Sequence, residues 1–189
     1  KTGKSVEAQN YLLQCLDYFG HKEDTLHQIN VSLMLGDGAF TKSALSLAQS
    51  YYENALKLSI ESGDNESKAI TLTSLCHVFN NMGEFKKSYE ALESAEQIID
   101  DPKDKLELKN IKANIYQGWD QHEKALSIHK VILQSSKQLG VKDNTTPLNN
   151  VGVSFSSINE NDSAIVYTEK ALESAYKFGR HNSIGTILI

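Results

Sequence analysis

The feature that most constrains this chain is a trio of residues that comes round five times. A small residue, a larger one four positions on, and a small or aliphatic one three beyond that occur as Ala8, Leu12, Cys15; Ala48, Tyr52, Ala55; Ser88, Leu92, Ala95; Ala125, His129, Ile132; and Ala164, Thr168, Ala171. Their first members stand 40, 40, 37 and 39 residues apart, and their last members repeat the same intervals. An i, i+4, i+7 stripe is one face of an α-helix. Such a face held in register over a fixed period indicates stacked structural repeats, each burying its stripe against a neighbour.

A second stripe lies shortly before four of the trios. It reads Leu35, Gly36, Ala39; Leu75, Cys76, Phe79; Lys112, Ala113, Tyr116; and Val151, Gly152, Phe155. Each unit is therefore a helix A, a tight turn and a helix B. Small residues let the two helices approach closely, and the aromatic residue fills the wedge between neighbouring hairpins. The expected fold is all-α, an α-α superhelix of antiparallel helical hairpins. Gly38 is a predicted weak point in the first A helix, because glycine in a helix costs about 1 kcal/mol relative to alanine.

The order of residues in "SLCHVFNNMGEFKKSYEALESAEQI" and "NNVGVSFSSINENDSAIVYTEKALESA" resembles that of the tetratricopeptide repeat, and the resemblance covers nearly the whole chain. There are departures. The family's early Trp is missing, and Trp119 stands instead at an A–B turn; Lys112 replaces a Leu, and His129 and Thr168 replace aromatic residues. The period also exceeds the family's usual length of about 34. Long repeats of this kind resemble those of bacterial sensor kinases and peptide-responsive regulators, and those of eukaryotic polarity adaptors and kinesin light chains.

The resemblance implies helix B of a preceding repeat over residues 4–20, then four repeats over 22–63, 64–101, 103–140 and 143–179, and the start of a further helix over 182–189. Gly20, Gly63, Gly140 and Gly179 fit the position just past a helix end, and Pro102 punctuates the remaining boundary. Asp24, Asp64 or Asn65, Asp143 or Asn144, and Asn182 or Ser183 are candidate N-caps. Lys1 in place of Met, and the uncapped apolar run Ile184, Ile187, Leu188, Ile189, read as a piece of a longer protein.

In the tetratricopeptide family the A helices line a concave groove that holds a polypeptide. Transferred residue by residue, the groove positions are Asn30, Leu33, Asp37 and Phe40; Ile70, Thr73, His77 and Asn80; Glu107, Asn110, Asn114 and Gln117; and Thr146, Asn149, Val153 and Ser156. The series Asn80, Asn110, Asn114, Gln117 and Asn149 offers both donors and acceptors to an extended backbone. None of these positions is Lys or Arg, so the basic clamp that some members use on a C-terminal carboxylate is not expected.

Chemistry of other kinds finds little support. A formal charge of −5 and a single arginine, Arg180, argue against a nucleic-acid partner, which requires a basic stripe. The six histidines show no metal-ligand spacing, and only His77 stands at a groove position; His129 reads as a packed substitute for a ring. Cys15 and Cys76 fall in small-residue packing slots, too few and too far apart for a disulfide framework or a zinc site. No apolar run is long enough to span a bilayer. The sequence thus points to a non-enzymatic module without cofactor or metal, binding a protein or peptide as part of a bacterial signalling or regulatory protein. Self-association through the exposed solenoid end or the convex face is the alternative. The compartment favoured is the cytoplasm, with the periplasm also open.

Overall fold

In a computed structural model, the described residues are 2–180, 182, 183 and 187, with side chains considered from residue 7 onward. They form α1 (Thr2–His21), α2 (Thr25–Thr41), α3 (Leu45–Ser62), α4 (Asn65–Asn81), α5 (Phe85–Glu96), α6 (Pro102–Gly118), α7 (His122–Gln138), α8 (Thr145–Ser157) and α9 (Asn161–Lys177). Two compact units are distinguished, Lys1–Asp100 and Asp101–Ile189. In the first, α2 pairs with α3 and α4 with α5; in the second, α6 pairs with α7 and α8 with α9. The expected helix over 182–189 lies largely outside the described residues. No helix among the described residues is long and apolar enough to cross a membrane.

Two helix starts follow the predicted caps: Asp24 accepts from the His27 N–H and Asp64 from Ser67. Asp101, which was not among the candidates, accepts from Lys103 and Asp104 in the same way, satisfying donors that the first turn leaves open. Pro102 occupies the first turn of α6, where a missing N–H costs nothing. Before α8 the residue flanking the helix is Asn144, which makes no side-chain cap; the carboxylate of Asp143 serves the Thr145 N–H instead.

The helix ends show a second repeat that the stripes do not reveal. Ser43, Gly83, Asp120 and Asn159 all take left-handed backbone, with φ between 56° and 76°, at the four A–B turns. After each one, an N–H reaches back five residues: Ala44 to Ala39, Glu84 to Phe79, Gln121 to Tyr116 and Glu160 to Phe155, at 2.8–3.0 Å. This is the Schellman closure of an α-helix. Gly63, Gly140 and Gly179 close B helices in the same manner, as expected. Gly20 does not. Helix α1 runs through it to His21, and Glu23 takes the left-handed position. Gly38 does not interrupt α2 either, since the helix is continuous from Thr25 to Thr41.

Packing explains the trios. Ala48, Tyr52 and Ala55, Ser88, Leu92 and Ala95, and Ala125, His129 and Ile132 are all buried. In the second unit Leu126, Leu133, Leu148, Val151, Phe155 and Ala171 share one core. The trio of α1 behaves differently. Ala8 and Cys15 are exposed and Leu12 is half-buried, and the partner on which α1 chiefly packs is α2. Cys15 is therefore not in a packing slot.

Candidate functional site

The small residue of helix A and the large residue of helix B stand a constant 16 positions apart, Gly36 and Tyr52, Cys76 and Leu92, Ala113 and His129, and Gly152 and Thr168, and the two glycine pairs meet directly. The first pair shows why the A position is small. A Cβ on Gly36 would stand 2.4 Å from a ring carbon of Tyr52. That ring is 2% exposed, and its hydroxyl donates to Asp37 Oδ1 at 2.6 Å. Burial, and then the Asp37 carboxylate, push the Tyr52 phenol well above its ordinary range. One predicted groove residue, Asp37, is thus held in place by the hairpin core.

The other predicted residues of the first unit divide by environment. Asn30 is exposed, while Phe40 is half-buried and packs, with Leu33, against the core of Ala39, Tyr52 and Leu75. The Thr73 hydroxyl donates to the Ala69 carbonyl at 3.0 Å. His77 is half-buried, and its carbonyl accepts from Asn81 Nδ2 at 2.8 Å. Asn80 keeps its Oδ1 out of solvent without a hydrogen bond.

In the second unit, neighbouring A helices are joined by side-chain amides. Asn150 Nδ2 donates to Asn110 Oδ1 at 2.8 Å, and Gln117 Nε2 donates to Ser157 Oγ at 3.4 Å. Each bond spans 40 positions, one more than the 39 that separate these two repeats. Asn114 lies between Asn110 and Gln117 on α6 and is exposed. On α8, Asn149, Val153 and Ser156 line a cavity of about 680 Å³, with Gly152 and Thr168 beneath them. Sequence reasoning found one partner of each bridge and missed Asn150 and Ser157. The signal available was the matching separation of 40 between polar residues on successive A helices.

The groups that could suggest chemistry are accounted for by packing. Buried His129 has Nδ1 2.7 Å from Ser154 Oγ, and burial pushes its pKa down to about 4. It is a neutral core residue, as the trio implied. Burial pushes the Cys76 thiol up to about 11, so it stays protonated beside Ser88 Oγ at 3.2 Å. Among the described residues, no three His, Cys, Asp or Glu side chains are grouped so that they could hold a metal ion. Arg180 is engaged too: its Nε donates to Asp143 Oδ2 at 2.7 Å, tying the end of α9 to the start of α8.

No protein-family model and no curated protein sequence matches the chain. Solved structures do match it. A putative kinesin light chain from Podosopora anserina, with nearly identical TPR-like repeats, aligns at TM-score 0.78 and 14% identity, covering 95% of this chain and 90% of that one. BtubC from P. vanneervenii aligns at TM-score 0.80 and 17% identity, covering 95% and 76%. MamA aligns at TM-score 0.68 and 16% identity, covering 95% and 94%. The chain has a tetratricopeptide-type repeat fold. Within the tetratricopeptide-type hairpins, the residues singled out from the sequence all fall on the A helices, exposed or half-buried. In the second unit three of them, Asn149, Val153 and Ser156, line one cavity.

Proposed function

We propose that this chain is a protein-interaction module that holds an extended polypeptide along its A helices, within a larger bacterial signalling or regulatory protein. We take its repeats to run over 22–63, 64–101, 103–140 and 143–179. The observation that carries this reading is the bridged amide row of α6 and α8. With Asn110 Oδ1 occupied by Asn150, the Asn110 amide nitrogen still offers protons and the Asn150 oxygen still accepts. Asn114, Asn149 and Ser156 extend the row. Amide groups fixed by neighbours lose less side-chain entropy on binding than free ones, which favours their use as a docking surface. Such a row pairs with peptide N–H and C=O groups and demands no particular side chain.

The test is a peptide-array or pull-down comparison of the wild type with an Asn110→Ala/Asn114→Ala variant. Loss of partners by the folded variant supports the reading, and retention of every partner refutes it. A second reading, self-association, draws on the uncovered face of α1, where Tyr11 and Tyr18 are 69% and 57% exposed. Light scattering that shows a monomer at tens of micromolar contradicts that second reading.

A further inference from the structure

We infer that Asp37 reads the charge of the bound polypeptide: its carboxylate receives a Lys or Arg side chain of the partner, whose aliphatic stem lies over Leu33 and Ile70. The inference rests on the polypeptide-binding reading and adds the chemistry of the ligand. Its residues belong to α2, α3 and α4, all within the first unit. The Tyr52 ring of α3 lies against Gly36 and is 2% exposed. Its hydroxyl ends at residues of two different A helices. It donates to Asp37 Oδ1 on α2 at 2.6 Å, and Ser74 on α4 stands beside it. Asp37 and Ser74 are thereby held at one level of the two helices. One turn earlier on each stand Leu33 and Ile70, since residues four apart share a helix face. Leu33 is half-buried against the core and Ile70 is 50% exposed, so apolar surface leads up to the carboxylate.

The carboxylate is fixed but not neutralised. The phenol occupies one site on it, and an ionised carboxyl group has about four. Asp37 is exposed, yet among the described residues no Lys, Arg or His pairs with it. Carboxylates on the B helices are treated differently. Glu61 and Glu90 each face a lysine four positions away on their own helix, Lys57 and Lys86. Helix α2 carries no Lys or Arg, and the other exposed carboxylate on α2 and α4 is Glu66. The exposed surface of these two helices is therefore apolar and negative, which selects a cation with an aliphatic stem. The position of Asp37 looks away from neighbouring A helices: its equivalent on α8, Val153, is 45% exposed although α6 is bridged to that helix. A carboxylate oriented before the ligand arrives loses less freedom on binding, which favours its use in recognition.

A carboxylate present merely to satisfy the phenol could be replaced by an amide, whose oxygen also accepts. The experiment uses that difference. Capped fluorescent decapeptides of Ala and Ser carry one central residue: Lys, its uncharged acetylated form, or diaminopropionic acid, a cation without the stem. They are read by polarisation against the whole chain. The wild type is expected to favour Lys over acetyl-lysine by about fivefold at low salt, and less as salt rises. Asp37→Asn keeps an acceptor for Tyr52, so it should bind both peptides alike without a lower melting temperature. Ile70→Ser, at an exposed position, should bind Lys and diaminopropionic acid alike, whereas the wild type prefers Lys. If Asp37→Asn keeps the wild-type preference for Lys, the charge-reading role is refuted while the amide-row reading stands. If Ile70→Ser keeps the preference for the longer cation, the placing of the stem is refuted. If no peptide binds the wild type, both readings fall.

Discussion

His129 makes the second unit acid-sensitive over a defined range. Its imidazole is 2% exposed, and burial holds its folded pKa near 4, below the ordinary value of 6.5. A base whose folded pKa is depressed binds its proton more readily in the unfolded chain, so stability is fully present above about pH 6.5 and is lost as pH falls toward 4. Each pKa unit corresponds to about 1.4 kcal/mol, which gives a loss of about 3 kcal/mol over the whole window and about 2 kcal/mol between pH 7 and pH 5. Carboxylates act lower down. Asp24, Asp64 and Asp143, held below their ordinary value of 3.8, lose their contribution only as pH falls through and beneath that value. The assay is urea unfolding followed by the fluorescence of Trp119, the chain's single Trp, which caps α6 within the same unit. A local probe is needed because repeat proteins need not unfold in one step. The wild type is compared with His129→Phe, which cannot titrate. The slope of stability against pH between 7 and 5 should flatten in the variant, whatever its stability at pH 7. Equal slopes for the two proteins would refute the assignment.

Two alanine substitutions two residues apart in α2 should have opposite signs. Gly38→Ala places its Cβ in open space and should stabilise by about 1 kcal/mol, whereas Gly36→Ala drives into the Tyr52 ring and should cost about 1–3 kcal/mol, both read from thermal unfolding by circular dichroism. At the A–B turns, Ser43→Gly should gain about 1 kcal/mol and Gly83→Ala should lose a similar amount, because both positions hold φ near +60° to +75°. Removing the N-cap by Asp64→Ala should cost about 1 kcal/mol at pH 7 and almost nothing once acid has protonated the carboxylate; an unchanged cost at pH 2.5 would contradict the cap.

What could be read from the sequence depended on how local the determining physics is. The trios fixed which face of each B helix is buried, because a period of 3.6 residues ties spacing to direction. The C-terminal glycines at 63, 140 and 179 were legible, since left-handed backbone selects glycine. The same conformation at Ser43, Asp120 and Asn159 was not, because those residues adopt it under the demand of the turn and against their own preference. Gly20 misled for the converse reason. The exposure of Cys15 depends on how α1 packs on its neighbours, which no property of α1 itself encodes. On the A helices, Asn110 and Gln117 were found, but their partners Asn150 and Ser157 lie one position beyond the predicted Asn149 and Ser156. Which of two adjacent residues faces the neighbouring helix depends on the rotation between the helices, and that is settled by core packing.

The most direct test of polypeptide binding is to follow the side-chain amide signals by NMR while a peptide captured on the array is titrated into the labelled chain. Binding along the A helices predicts that the NH₂ resonances of Asn110, Asn114, Asn149 and Asn150 shift together and saturate with one affinity. Shifts confined to B-helix residues such as Gln49 and Asn54, with those four unmoved at saturation, would contradict it.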